Sequence, residues 1–446
     1  MVELSTLERV GSRDRSRIAV IRLLAGLAED FPDLHPGSGA VSEGVSSGTG
    51  HALRQGVVRR WLTLETLLEP ACSKPLFKLE PLMRALLLAG AFELVFQDGT
   101  PRPAVVTAYV DIAKKLIRPG AAGLANAVLR KVSVWREQAE VVDETVLSAR
   151  HVPIGQGKAL LSPWAVLPEP SEDAVGHASV AFSLRRDLVH RWRKHHRDVV
   201  ERLLWQSLEI PPTIVAVASG EAEGCEWMTP HRVEGFGVWT GAMSALGGVL
   251  AEHPGWRVQD PAAAAAVAGT SDLNPGRVLD LCAGRGTKSL QALGVHPGAE
   301  VWAYEPHQQR RESLMTLAAK RDRLRVVDDR ALEGERFDLV LADVPCSNTA
   351  VLARRLEARY RFTQKTVEDL RGLQQRLLLR ALDLCQPGGA VVYSTCSLEP
   401  EENEVLIQRV VLKRAVSIVS QVLTLPEGSG ATYQDGGFHA RLVLAG

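Results

Sequence analysis

Apolar residues in the first third of the chain recur at helical spacing. Ile18, Ile21, Leu24 and Leu27 share one face, and Leu53, Val57, Trp61 and Leu64 share another, so two amphipathic helices are predicted. Leu82 to Phe96 is apolar almost throughout and predicts a helix buried on nearly every side. Thr100-Pro101-Arg102-Pro103 interrupts the pattern, and Val105 to Ile117 resumes it. Gly123 to Val134 closes the set with Leu124, Val128 and Leu129 inward, while Phe31 to Gly50 is a Gly/Ser/Pro-rich loop. Residues 1–136 are expected to form an all-α bundle.

The pattern changes after that. Residues 137–180 carry Pro153, Pro163, Pro168 and Pro170 with little periodicity, which reads as a linker with a short hairpin. From Gly276 onward, short apolar runs alternate with helical segments. Arg277 to Cys282, Glu300 to Tyr304, Leu324 to Val327, Phe337 to Ala342 and Ala390 to Tyr393 are the predicted strands. Gln308 to Lys320 and Val367 to Leu384 are predicted helices between them. This alternation predicts a doubly wound α/β domain over 251–446. Val422 to Leu425 and Phe438 to Leu444 read as an antiparallel pair at its edge.

Two cysteines stand at strand ends. Cys396 follows the Ala390–Tyr393 run and precedes Pro400-Glu401-Glu402-Asn403-Glu404, whose proline and acids signal a helix start. Cys346 follows Phe337 to Pro345 in an equivalent place. Open α/β sheets keep their reacting groups along the carboxyl edge, so the two thiols point to chemistry on a bound planar substrate.

Composition narrows the setting. The 446 residues hold 52 Lys plus Arg and 52 Asp plus Glu, so no global field favours nucleic acid, although a local basic face is compatible with the balance. The six cysteines show no CxxC pairing and no ligand-spaced histidines, against a disulfide framework or a zinc site. No apolar run reaches membrane-spanning length, and the N-terminus lacks a signal-peptide apolar region. A cytoplasmic protein with reduced thiols, no metal and no membrane partner is expected, as a monomer. Ser183 to Arg197 carries six Arg/Lys and one acid, with Trp192 and three histidines interleaved. A solvated helix face and an RNA-contact face both fit that run, with Arg191, Arg193 and Lys194 as the contacting cations. The region 181–250 is read as a small RNA-contact region.

Val278 to Ser289 reads as a strand, a Gly284/Gly286 turn and a helix start. Ser289 stands where a dinucleotide fingerprint would need its third glycine, and no P-loop lysine spacing occurs. A bare GxG turn serves equally as a tight βα connection. Glu305, at the end of the next strand, is placed to accept hydrogen bonds from ribose hydroxyls, and Asp328 after the third strand to reach an adenine amino group. Turn and cap roles fit both acids as well. A nucleoside cofactor without a pyrophosphate cradle points to S-adenosylmethionine.

Taken together, Asp280-Leu281-Cys282-Ala283-Gly284, Ala342-Asp343-Val344-Pro345-Cys346-Ser347 and Ser394-Thr395-Cys396-Ser397 with Pro400-Glu401-Glu402-Asn403 resemble the RsmB/Sun-type cytosine-5 RNA methyltransferases of the NOL/NSUN superfamily, which act on bacterial 16S ribosomal RNA. Leu86 to Leu94, Pro101 to Lys114 and Gly123 to Arg130 resemble the NusB-like RNA-binding domain. The resemblance implies a NusB-like helical front followed by a Rossmann-like class I methyltransferase domain. It further implies that Cys396 attacks C6 of the cytosine, Cys346 resolves the adduct and Asp343 contacts the base edge. Asp280, Cys282, Ala283, Gly284, Gly286, Lys288, Glu305, Asp328 and Asp343 would line the S-adenosylmethionine pocket. Arg354 and Arg355 match an Arg-Arg stretch taken as an RNA contact.

The chain departs from the family pattern in places. Arg285 and Thr287 replace a proline and a glycine of the cofactor loop, Ala350 replaces a glycine, and the Arg-Val-Asn that usually follows the paired prolines is missing after Pro211-Pro212. A non-catalytic RNA-binding or ribosome-assembly factor, and a methyltransferase for transfer RNA, therefore stay open as alternatives from sequence alone.

Overall fold

The structure is a computed structural model and describes residues 12–34, 48–143 and 147–445. The N-terminal residues read for a leader, and most of the Phe31–Gly50 loop, lie outside them. The chain divides into two compact units: residues 1–209 with 355–362, and residues 210–354 with 363–446.

The first unit is built on helices α1 (Ser12–Asp30), α2 (Gly48–Arg59), α3 (Trp61–Leu68), α4 (Pro81–Phe96), α5 (Arg102–Leu116) and α6 (Ala121–Gln138). Prolines sit in the first turn of α4 and α5, where an imino nitrogen sacrifices no hydrogen bond. α4 is buried from Met83 to Val95, and Leu24, Trp61, Leu64 and Leu129 close around it. The predicted bundle is present. Where a linker with a hairpin was expected, β1 (Glu140–Asp143), β2 (His151–Gly155) and β3 (Lys158–Leu161) form a three-stranded antiparallel sheet in the order β1-β3-β2. Helices α7 (Ala174–Ala181), α8 (Arg186–His195) and α9 (Val200–Gln206) follow.

α8 corrects one expectation. Trp192 is buried with Leu188 and Val189, so it is a core residue and offers no stacking surface. The exposed face of α8 carries Arg193 and Lys194, with Arg191 partly buried. The returning segment 355–362 is anchored deeply in this unit. Arg359 is fully buried and donates to the carbonyls of Phe182, Ser183 and Ser207. Tyr360 bonds the Ser183 hydroxyl at 2.9 Å.

The second unit begins with β4 (Ile214–Ala216), β5 (Met228–Pro230), β6 (Phe236–Trp239) and β7 (Arg257–Val258), an antiparallel sheet in the order β5-β6-β4-β7, with α10 (Met243–Glu252) between β6 and β7. α11 (Pro261–Ala268) leads into the main sheet of β8 (Arg277–Asp280), β9 (Glu300–Tyr304), β10 (Leu324–Val327), β11 (Phe337–Asp343), β12 (Cys385–Thr395), β13 (Val416–Thr424) and β14 (Gly437–Leu444). Its order is β10-β9-β8-β11-β12-β14-β13, parallel from β10 to β12. β14 pairs antiparallel with both β12 and β13, so the expected antiparallel pair is present, one strand of it inside the edge. α12 (Thr287–Val295), α13 (Gln308–Ala318), α14 (Gln364–Leu384) and α15 (Glu404–Val411) complete the doubly wound architecture. β12 extends back through Pro387-Gly388-Gly389 to Cys385, longer than the apolar run alone indicated. Order reverses between β8 and β11, and the carboxyl edge at that reversal is where such sheets bind ligands.

Candidate active site

β11 and β12 run parallel in register, Asp343 opposite Ser394. Each strand then releases a cysteine at the same sheet edge. The two sulfurs converge: Cys346 Sγ lies 3.0 Å from Cys396 Sγ, and the Cys396 N–H points at Cys346 Sγ at 3.3 Å. All cysteines are free thiols. Cys346 is buried, whereas Cys396 is partly open. The hydrogen bond with Cys396, then burial, then the charges of Cys396 and Glu402 push the Cys346 thiol well above its usual range.

Asn348 completes the immediate surroundings. Its backbone is left-handed at φ 62°, a region asparagine tolerates better than most residues. From there its Oδ1 accepts from Cys396 Sγ at 3.2 Å and its Nδ2 donates to the Cys346 carbonyl at 2.8 Å.

Asp343, at the tip of β11, is held from two sides. Ser394 Oγ donates to its Oδ1 at 2.8 Å and Lys288 Nζ to its Oδ2 at 2.8 Å. Burial draws the Lys288 ammonium down, but Asp343 and Asp280 more than offset this, and its pKa is raised. These bonds fix the orientation of the pair, with the carboxylate partly open to the site.

The nucleoside side of the edge follows β8 and β9. Gly284 and Gly286 adopt φ of 58° and 90°. At Gly286 a Cβ would approach Leu317 to 2.5 Å and Leu314 to 2.7 Å, so both the backbone angle and the packing on α13 require glycine. Arg285 is exposed and Thr287 opens α12, so these departures leave the turn itself intact. Glu305 is buried. Its Oε2 accepts from Gly284 N at 2.9 Å and its Oε1 from His307 N at 2.8 Å, tying the turn to the end of β9. Asp280 is fully buried and accepts from Ser289 Oγ at 2.7 Å, but its Oδ1 has no hydrogen-bond partner in the protein. Burial chiefly pushes its carboxyl up to about 6. Cys282 beside it is also driven up by burial and stays a thiol. An unpartnered buried acceptor beside a glycine turn without a phosphate-binding lysine fits a cationic nucleoside ligand such as S-adenosylmethionine. Asp328 is exposed and caps the following turn at Ala331 N, 3.0 Å.

The structure thus brings Cys346, Cys396, Asp343 and Lys288 together, with Asp280, Ala283, Gly284 and Glu305 along the same edge. Arg354 lies elsewhere in the second unit. It is only partly exposed and donates to Asp435 Oδ2 at 2.7 Å and the Pro212 carbonyl at 3.2 Å, with Asp260 at 3.6 Å. Arg355 is exposed. Sequence reasoning passed over Asn348, Glu402, Gln374 and His439. Glu402 sits inside the motif that carries Cys396, Asn348 lies one residue past the end of the Cys346 motif, and Gln374 is one polar residue on an otherwise ordinary helix. His439 faces Ser394 across the β12–β14 pairing, and burial together with Lys288 lowers its pKa. Among the described residues, no group of three His, Cys, Asp or Glu could hold a metal ion, and no helix is long and apolar enough to cross a membrane.

Known proteins of the same build have been named. The model of the 16S rRNA methyltransferase RsmB/F family matches residues 271–442, and that of the NusB family residues 41–134. A probable ribosomal RNA small subunit methyltransferase B of Synechocystis is 31% identical, over 79% of this chain and 78% of that protein. A ribosomal RNA small subunit methyltransferase B of Xanthomonas campestris is 29% identical over 96% of this chain and 97% of its own length. The crystal structure of PH0851 shares the fold at a TM-score of 0.69 and 18% identity, covering 96% of this chain and 98% of that one. With a relative this similar along most of both chains, a NusB-type front and an RsmB/F-type body, this chain belongs to the RsmB/F family of 16S rRNA methyltransferases.

Proposed function

We propose that this RNA methyltransferase transfers a methyl group to carbon 5 of a cytosine in small-subunit ribosomal RNA, with Cys396 as nucleophile and S-adenosylmethionine as donor. The observation that carries the reading is the convergence of two thiols, 3.0 Å apart, beside the Lys288–Asp343 pair. S-adenosylmethionine supplies an electrophilic methyl group on a sulfonium centre. Asp280, with its spare acceptor, and Glu305 would hold it beside the glycine turn.

Carbon 5 of cytosine is too weak a nucleophile to take a methyl group unaided. Addition of the Cys396 thiolate at C6 makes the ring enamine-like, so that C5 becomes nucleophilic. Asp343, oriented by Ser394 and Lys288, accepts from the N4 amino group and shares a proton with N3, which stabilises the negative charge that develops in the ring. After the methyl group is on C5, Cys346 as thiolate takes the C5 proton, the C5–H electron pair re-forms the C5–C6 double bond, and the C6–S bond breaks with its pair returning to Cys396 as thiolate. Cys346, in contact with Cys396, serves this resolving half. The base must leave its stack to enter such an edge, and Arg193, Lys194 and Arg355 are exposed cations that suit the RNA backbone.

The test has two arms. Cys396→Ala abolishes methyl transfer to 16S ribosomal RNA while S-adenosylmethionine still binds by isothermal titration; full retained activity overturns the mechanism. Bisulfite sequencing of ribosomal and transfer RNA from a deletion strain shows one cytosine losing its methyl group in 16S RNA. Loss in transfer RNA instead overturns the substrate.

A further inference from the structure

A fully buried carboxylate lies behind the two thiols, and the reaction as derived above does not use it. Glu402 belongs to the short 3-10 turn Pro400–Glu402 that separates β12 from α15, and its side chain points back under the sheet edge. Its Oε1 accepts from the Ser347 N–H at 2.9 Å and from Gln374 Nε2 at 2.8 Å. Its Oε2 accepts from the hydroxyls of Ser347 and Ser397. All four acceptor positions of the carboxylate are therefore filled. The donors come from three separate stretches: the residue after Cys346, the residue after Cys396, and the middle of α14. Gln374 Nε2 also reaches the Pro345 carbonyl at 2.9 Å, and the Tyr393 hydroxyl donates to the Glu402 carbonyl at 2.7 Å. A carboxylate is the one side chain that can accept from four donors at once, and charge-assisted bonds are stronger than neutral ones.

We propose that Glu402 is a positioning residue that clamps the Cys346 loop to the Cys396 loop and reserves the nucleophile's role for Cys396. The inference rests on the reading of these cysteines as the reacting pair. Two effects act together. The clamp fixes the separation of the sulfurs by bonding the neighbour of each. The buried negative charge lies behind Cys346, the more enclosed sulfur, and is among the charges that raise its pKa. Cys346 is thereby held as the enclosed thiol, and Cys396, on the open side, is the sulfur left to meet the substrate.

The test needs no RNA in its first arm. Full-length wild type, Glu402→Gln and Glu402→Ala are alkylated with iodoacetamide across pH 6 to 9, and the rates at Cys396 and Cys346 are followed by peptide mapping. Lys288, Asp343, His439 and Tyr393 also surround the pair, so every variant is compared with wild type at each pH. Glutamine keeps the shape and removes the charge; its oxygen accepts from two of the four donors, and the serine hydroxyls can turn to accept from its amide nitrogen. The expected result is a preference for Cys396 in wild type that falls about tenfold or more in Glu402→Gln, the equivalent of one pKa unit, with the acid limb at Cys346 moving to lower pH. An unchanged preference and an unmoved limb overturn the proposal. So does an effect seen only in Glu402→Ala together with a lowered melting temperature, which is what plain structural support would give. In the second arm, adduct formation is followed on ribosomal RNA transcripts carrying 5-fluorocytidine, with Cys396→Ala as control. If wild type forms no adduct, the proposed reaction fails, while the alkylation arm still decides the role of Glu402. If wild type reacts and Glu402→Gln matches it, only the positioning role fails.

Discussion

Cys346 Sγ lies 3.0 Å from Cys396 Sγ, although 50 residues separate the two in the chain and each belongs to a different strand end. The two sulfurs are in contact but unlike in setting, one buried and the other open. A division of labour follows, and the two alanine variants should fail differently. Cys396→Ala forms no covalent RNA complex. Cys346→Ala attacks but resolves slowly, so a covalent complex accumulates and appears as a retarded band on a denaturing gel. A Cys346→Ala enzyme with normal turnover and no such band would remove Cys346 from the reaction.

The Lys288–Asp343 pair should matter for rate more than for folding. Lys288 fixes the carboxylate that is to meet the base edge, so Lys288→Met leaves Asp343 held only by Ser394. Single-turnover methyl transfer is expected to drop by about 10²-fold, the usual size for losing one preorganised electrostatic contact. Asp343→Asn, which keeps the shape and inverts the hydrogen-bonding sense of one atom, should lose at least as much. Stopped reactions on 16S RNA transcripts measure both.

Much of this site was legible because strand ends announce themselves. The apolar runs of β8, β11 and β12 stop abruptly at Asp280, Asp343 and Thr395, and the chemistry sits just beyond each stop. What stayed hidden depends on partners distant in sequence. Glu402 follows a proline and reads as a helix-start acid, the locally dominant signal, yet α15 begins only at Glu404. Its donors at 347 and 374 could not be inferred from its neighbours. Trp192 sits in a run of cations, and the charge pattern masks the apolar stripe of Leu188, Val189 and Trp192 that packs inward. The strands β1 to β3 are only four or five residues long and β2 contains Pro153, too short and broken to show periodicity.

Adjacent arginines 354 and 355 should give opposite phenotypes. Arg354 joins two carboxylates, Asp435 and Asp260, both largely buried, and Asp260 is raised to about 7, first by burial and next by Asp435. Arg354→Ala strands those acids and is expected to destabilise the protein by about 3 kcal/mol, seen as a lower melting temperature. Arg355 is exposed, and the role proposed for it is contact with RNA. Arg355→Ala should leave the melting temperature unchanged, weaken RNA binding and reduce the slope of log affinity against log salt by about one. Equal melting temperatures for the two variants would contradict the assignment of Arg354 to the fold.

Asp280 stores instability in the proposed cofactor site. Its folded pKa, about 6, lies above the usual carboxylate value because burial disfavours the charged form. The folded state therefore holds its proton more tightly than the unfolded chain. Stability linked to this group is present at low pH and is lost as the pH rises from about 4 through about 6, and a penalty of roughly 3 kcal/mol remains above that. Asn at this position is neutral at every pH and can still meet Ser289 Oγ. Asp280→Asn should accordingly melt higher than wild type at pH 8, with the gap narrowing as the pH falls towards 5. The same substitution removes the anion that is to face a sulfonium ligand, so S-adenosylmethionine affinity should fall while thermal stability rises. Melting curves at pH 5 and 8, paired with isothermal titration, check both halves. A variant less stable than wild type at pH 8 would mean that the buried charge is compensated within the protein after all.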